Sequence, residues 1–178
     1  MVLYASIFLN ALEEKGIIGV LKHFPGHGSS LNDSHKGFVD VTHTWSKKEL
    51  EPFIQLIHQY PVQMIMTAHI FNASLDKKYP ATLSFATNTQ LLRETLGYKG
   101  VIISDDLQMK AISEHFSLKE TVTLAINAGV DMLLFGNQLG KHNIKEIVDT
   151  IYKEVIKGNI AYERIVQSNQ RIKALRKN

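Results

Sequence analysis

Three clusters of side chains in this sequence have the types and spacing that chemistry needs. The stretch KHFPGHGSSLNDSH, residues 22–35, carries Lys22, His23, His27, Asp33 and His35, interrupted by Pro25, Gly26 and Gly28. Lysine offers an ammonium with three donors, and histidine a group that switches between donor and acceptor near neutral pH. Lys22-His23 therefore reads either as a pair aimed at a polar ligand or as a strand's polar exit to solvent. In Asp33-Ser34-His35 the carboxylate can meet the imidazole where the backbone turns, fixing its tautomer and raising its basicity. The same spacing also suits an ordinary polar loop. Gly26 and Gly28 would let such a loop move over a site.

The other two clusters end apolar runs. Ser104-Asp105-Asp106 follows GVII, and in an extended chain its adjacent carboxylates point to opposite sides. At most one then faces a site, as a nucleophile, general base or orienting group, while the other contacts structure or caps the next segment. Thr67 and His69 end VQMIMTAHI in the same way. By ligand type His23, His27, Asp33, His35 and His69 would suit zinc, but Pro25-Gly26 stands against a helical H-x3-H pair, and the expectation is no metal. GHGSS lacks the lysine of a phosphate-binding loop, and no G-x-G-x-x-G pattern occurs.

The elements that must position these groups alternate. Residues 3–14 read as a helix stopped by Gly16, then 17–24 as a strand. Ser46 and Glu49 form an S-x-x-E capping box opening a helix to about Tyr60, which Pro61 ends. Strand 62–70, a helix near 87–96 closed by Gly97, and strand 100–106 follow. A second box, Ser117 and Glu120, opens a helix that ends at Gly129, with strand 130–136 after it. Helices near 143–156 and 161–177 complete the pattern. Unalternating Val, Ile, Leu and Met strands are those of a parallel sheet covered on both faces, so the class is α/β. Polar residues gather at strand C-terminal ends, where barrels and open α/β sheets both keep their sites. Four strand–helix units are half of an eight-stranded barrel, which typically takes ~250 residues.

Composition narrows the function classes. The 178 residues are 44% hydrophobic and 21% charged, which suits one globular domain over 1–178. A net charge of +3 is scattered except for the last helix, with Arg164, Arg171, Lys173, Arg176 and Lys177. That helix reads as a solvated face, with no nucleic-acid partner expected. The absence of cysteine removes disulfides and thiolate metal sites. No apolar run approaches the ~20 residues of a membrane span. The opening residues lack a basic n-region and read as an amphipathic helix, not a signal peptide.

Together, KHFPGHG with DSH, a strand ending MTAHI, and GVIISDDLQM resemble glycoside hydrolase family 3, in its single-domain β-N-acetylglucosaminidase type of bacterial peptidoglycan recycling. The resemblance runs through nearly the whole chain but covers only the C-terminal half of the family's (β/α)8 barrel. It implies a retaining mechanism without cofactor, with Asp105 as nucleophile and His35 as acid/base paired with Asp33. It implies that Lys22 and His23 hold sugar hydroxyls and that Met109 lines the sugar pocket. The resemblance assigns no role to Asp106. Such a partial TIM barrel is expected to be weak or inactive alone. Its completion would come from a separate N-terminal half-barrel chain or from self-association. The alternatives are a non-catalytic sugar- or partner-binding half-barrel, and a zinc hydrolase. The expected compartment is the cytoplasm, unless the missing half carries an export signal.

Overall fold

The four apolar segments form one parallel sheet. In the computed structural model, which describes residues 1–30, 37–138 and 142–175, the strands lie in the order β1-β2-β3-β4. They are β1 (Val20–Phe24), β2 (Met64–Thr67), β3 (Val101–Asp106) and β4 (Met132–Leu134). Each pair is parallel, so every connection crosses over through helical segments.

Those segments are α1 (Val2–Glu13) before β1, and a 3-10 turn Lys47–Leu50 leading into α2 (Glu51–Gln59) before β2. A 3-10 turn Ala81–Leu83 and a π-helix Ala86–Thr95 precede β3. The short α3 (Lys110–Ser113) and α4 (Leu118–Ala128) precede β4, and α5 (Ile144–Ile156) and α6 (Tyr162–Leu175) follow it. The sheet and its helices enclose Phe24, Phe53, Ile65, Leu83, Leu92, Ile102, Ile112 and Val130. Phe24 and Phe53 meet edge to face at 5.3 Å between centroids. Each such side chain taken fully out of water contributes about 1.5–3 kcal/mol before ordering costs.

Two register slips fall on the polar strand ends. Leu21 pairs with Ile65 but Phe24 with Thr67, so β1 carries an extra residue at Lys22-His23. Ile103 pairs with Met132 but Asp106 with Leu134, so β3 carries one at Ser104-Asp105. A bulge re-aims side chains where it sits, and here both coincide with candidate site residues. The Lys22–His23 and Phe24–Pro25 peptides are both cis.

Two local expectations fare differently, although their patterns match. Ser117 and Glu120 form the full reciprocal capping box of α4, and Gly129 ends the helix at φ 111°. Ser46 makes no side-chain cap, and the helix there begins as a 3-10 turn. Its Glu49 carboxylate is engaged instead by the Gly28 N–H at 3.1 Å and the Ser29 hydroxyl at 2.5 Å.

The last helix also departs from a solvated face. Arg164 and Arg171 of α6 reach inward to the Asp131 carboxylate at 3.0 and 3.2 Å, and Arg93 joins them at 2.5 Å. The Asp131 side chain is fully buried and also accepts from Ser168 and from the Ile102 N–H. Charged side chains at this depth persist only when paired, and Asp131 supplies the pairing. It lies before β4, at the N-terminal end of the sheet, away from the polar strand exits.

Candidate active site

Asp105 and His23 come together across the C-terminal ends of β1 and β3. His23 Nε2 lies 3.6 Å from Asp105 Oδ2, with side chains 29% and 19% exposed. The other carboxylate oxygen, Oδ1, accepts the Asp106 N–H at 2.8 Å, which holds the group with Oδ2 toward His23. Asp105 is thus a half-buried carboxylate with one anchored oxygen and one facing an accessible donor. That arrangement suits a nucleophile or a group that orients a ligand.

Asp106 points elsewhere, as adjacent positions on an extended chain require. Its Oδ1 accepts the Gln108 N–H at 3.0 Å and the Gly136 N–H at 3.1 Å. A Cβ at residue 136 would stand 2.6 Å from Asp106 Oδ2, so the close approach needs glycine there. Gln108 and Asn137 exchange two further hydrogen bonds, at 2.9 and 2.6 Å. Asp106 and Gln108 therefore tie the exit of β3 to the exit of β4. Met109 is buried at 1% exposure, and its N–H bonds back to the Asp106 carbonyl at 2.9 Å.

His69, a zinc candidate by residue type, is buried behind this strand end. Its Nε2 lies 2.9 Å from the Asp106 carbonyl, which can only accept, so that nitrogen carries the proton. Its Nδ1 lies 2.8 Å from Thr82 Oγ1. Thr82 Oγ1 lies within hydrogen-bond reach of three partners, His69 Nδ1, Thr67 Oγ1 at 2.8 Å and the Ala68 carbonyl at 2.9 Å. Burial lowers the pKa of His69 against the opposing pull of Asp105 and Asp106, which agrees with a neutral ring. Its role is to hold the peptide between Asp106 and Leu107 in place.

Lys22 is exposed, and the ring of His27 lies 5.9 Å from that of His23, tilted by 59°. A cavity of about 400 Å³ begins at these residues and runs between α1 and α2, bounded by Leu21, Lys22, His23, Glu49 and Phe53. It follows the open side of β1 and does not reach Asp105. Asp33 and His35 lie outside the described residues. Among the described residues no three His, Asp or Glu side chains are grouped to hold a metal ion. No described helix is long and apolar enough to cross a membrane.

Sequence reasoning passed over Glu49 as a site element and left Asp106 without a role. For Asp106 the signal was present in its neighbour, since two adjacent acids at a strand end cannot share one direction. For Glu49 none was, because its partners lie 20 and 21 residues away.

Residues 1–175 match the family model described as the glycosyl hydrolase family 3 N terminal domain. The chain is 41% identical over 140 residues to beta-hexosaminidase A of Pseudoalteromonas piscicida, covering 71% of this chain and 23% of that protein. Among solved structures it is similar to a glycoside hydrolase family 3 beta-N-acetylglucosaminidase from Paenibacillus sp. FPU-7. The TM-score there is 0.85 at 34% identity, covering 95% of this chain and 32% of that one. M tuberculosis LpqI matches with a TM-score of 0.86 at 31% identity, covering 98% of this chain and 52% of that one. The chain thus spans about half or less of these relatives' length, and its four units form part of a barrel. By family match, sequence and fold together, the chain belongs to glycoside hydrolase family 3.

Proposed function

We propose that this chain carries the nucleophile and the acid/base of a retaining β-N-acetylglucosaminidase. Asp105 attacks the anomeric carbon while His35 gives its proton to the leaving glycosidic oxygen, and a glycosyl–enzyme ester forms. Neutral His35 then takes a proton from water, which attacks the same carbon, breaks the ester and frees Asp105. Histidine suits the role because its ordinary pKa of ~6.5 lies near neutrality, and Asp33 favours its protonated form. Lys22 and His23 hold sugar hydroxyls, and Met109 lines the sugar pocket. The observation that carries this reading is the approach of His23 to Asp105 at 3.6 Å, between strands that are not neighbours in the sheet. The names of the relatives, beta-hexosaminidase and beta-N-acetylglucosaminidase, support the substrate class. Muropeptide saccharides as natural substrates, and the cytoplasm as compartment, rest on the subtype resemblance alone.

Activity on this reading requires the rest of the barrel, so the chain alone is a weak catalyst. The test is release of an aryl leaving group from an N-acetylglucosaminide, with Asp105→Ala beside the unaltered chain. The expected loss is on the order of 10³-fold or more, since removing a covalent nucleophile removes the two-step path. Unchanged turnover in Asp105→Ala would overturn the assignment. A second reading, a sugar-binding half-barrel without turnover, draws on the four-stranded sheet with both edges open among the described residues. It predicts no hydrolysis and only a modest loss of sugar affinity in Asp105→Ala.

A further inference from the structure

The N-terminal end of the sheet carries more positive charge than its buried carboxylate offsets. Arg93, Arg164 and Arg171 converge on Asp131, and Arg164 and Arg171 share its Oδ1 oxygen. Most of their other acceptors are backbone carbonyls at the end of α4. Arg164 donates to the Ile126 and Val130 carbonyls, and Arg93 to that of Gly129. A helix C-terminus carries about half a unit of negative charge, so the three guanidinium groups keep an excess of about one and a half. Lys99 adds one positive charge and Glu94 one negative, both on exposed residues. Burial lowers the pKa of Arg93 against the pull of Asp131, and the charges of Arg171 and Arg164 lower it further. The three guanidinium groups therefore repel one another more than one carboxylate relieves.

Donors are in surplus as well. Arg93 Nε is buried without an acceptor. Among the described residues Arg171 uses only its Nη1, in the bond to Asp131, although the side chain is 27% exposed. Arg171 and Lys99 each line two cavities on this side of the molecule. One, of about 350 Å³, is also bounded by Arg93, Arg164 and Glu94. The other, of about 340 Å³, is bounded by Gln63 and Gln170, with no acid among the described residues lining it. Asp105 and His23 stand at the opposite, C-terminal ends of the strands.

We propose that Arg171 and Lys99 form a binding site for a phosphate group, with Arg93 and Arg164 supplying the positive field behind it. The planar fork of an arginine matches phosphate oxygens two at a time, and lysine adds a point charge. A phosphate monoester brings about −1.5 to −2 charges at neutral pH, which matches the excess, whereas a single carboxylate brings only one. A cavity of about 350 Å³ stands at the small end of the range for ligand pockets, so the ligand is inorganic phosphate or a small phosphate ester and not a polymer. The site is separate from the strand ends that carry Asp105, and the inference does not depend on the catalytic reading.

Binding tests it. The full chain is titrated by calorimetry with inorganic phosphate and, separately, with a hexose 6-phosphate, with sodium chloride at matched ionic strength as the control. Saturable binding of one ligand per chain is expected, with Kd at or below about 1 mM. Tm should rise with it, because the ligand binds the folded chain and not the unfolded one. Tighter binding of the ester would identify the ligand as an organic phosphate, and equal or weaker binding of the ester as free phosphate. Lys99→Gln and Arg171→Gln should each weaken binding about tenfold, the worth of one hydrogen bond between charged groups. Lys99 is exposed and makes none of the bonds to Asp131, so Lys99→Gln leaves the cluster intact and decides the matter if Arg171→Gln fails to fold. No saturable binding of either probe, a rise in Tm equalled by chloride, or unchanged affinity in either folded variant would overturn the inference.

Discussion

Asp131→Asn tests how the described half-barrel is held together at its N-terminal end. The native carboxylate is fully buried and accepts from Arg93, Arg164, Arg171, Ser168 and the Ile102 N–H. It joins β3, the segment before β4, the π-helix and α6 at one point. An asparagine of the same shape removes the charge and turns one acceptor oxygen into a donor that faces other donors. Three guanidinium groups then remain in place without their counter-charge. Removing one partner of a buried ion pair costs about 3–5 kcal/mol, because the desolvated remainder is uncompensated. That is a large share of the ~5–15 kcal/mol that keeps a domain folded. For a chain of this size it corresponds to a fall in Tm of roughly 6–20 °C. Urea unfolding followed by far-ultraviolet circular dichroism, with the unaltered chain alongside, measures it. The loss should persist at 1 M salt, since buried pairs are screened little. A loss under about 1 kcal/mol, or one abolished by salt, would mean that the cluster behaves as an exposed ion pair and would refute the reasoning.

Three further outcomes follow from particular contacts. His69 has a pKa lowered by burial from its ordinary 6.5, so the unfolded chain takes up its proton first as the pH falls. The stability it contributes is fully present above that value and is lost on acidification toward the folded pKa. Unfolding titrations at pH 7.5 and 5.5 should show a smaller acid loss in His69→Gln than in the unaltered chain, and equal losses would remove His69 as the cause. Glu49→Ala takes the acceptor from the Gly28 N–H and the Ser29 hydroxyl, at a cost of about 1–3 kcal/mol for bonds to a charged group. Hydrogen exchange at the Gly28 amide should accelerate, and an unchanged rate would show that the clasp does not hold in solution. Gly136→Ala brings a methyl group against Asp106 Oδ2 and should loosen the exits of β3 and β4 together, read as faster exchange of the Gly136 and Gln108 amides. Loosening of one alone would dissociate the two strand ends.

The contrast between the two S-x-x-E patterns marks the limit of local reading. At Ser117 the carboxylate of Glu120 takes the N-cap backbone N–H at 2.9 Å and the Ser117 hydroxyl at 2.6 Å, so the pattern and the outcome agree. At Ser46 the same pattern meets a loop brought close from 20 and 21 residues away, and Glu49 serves that loop instead. Asp131 repeats the lesson at larger scale. A lone acid inside an apolar run was visible, but its partners at 93, 164 and 171 are separated by 33 to 40 residues, and no periodicity links them.

By itself the sequence determined the alternation of apolar strands and helices, the parallel α/β class, and the polar strand ends carrying Lys22, His23 and Asp105. These follow from residue type and period, which act over a few neighbours. Only the tertiary structure decided which way each group faces. It turned Asp105 toward His23 and Asp106 into the exit loops, and made His69 a neutral buried link. It also drew two arginines of a seemingly solvated helix onto one buried carboxylate. The physical reason is common to all of these. Direction, burial and pairing are properties of segments distant in the chain, and they come into being only when the sheet brings those segments side by side.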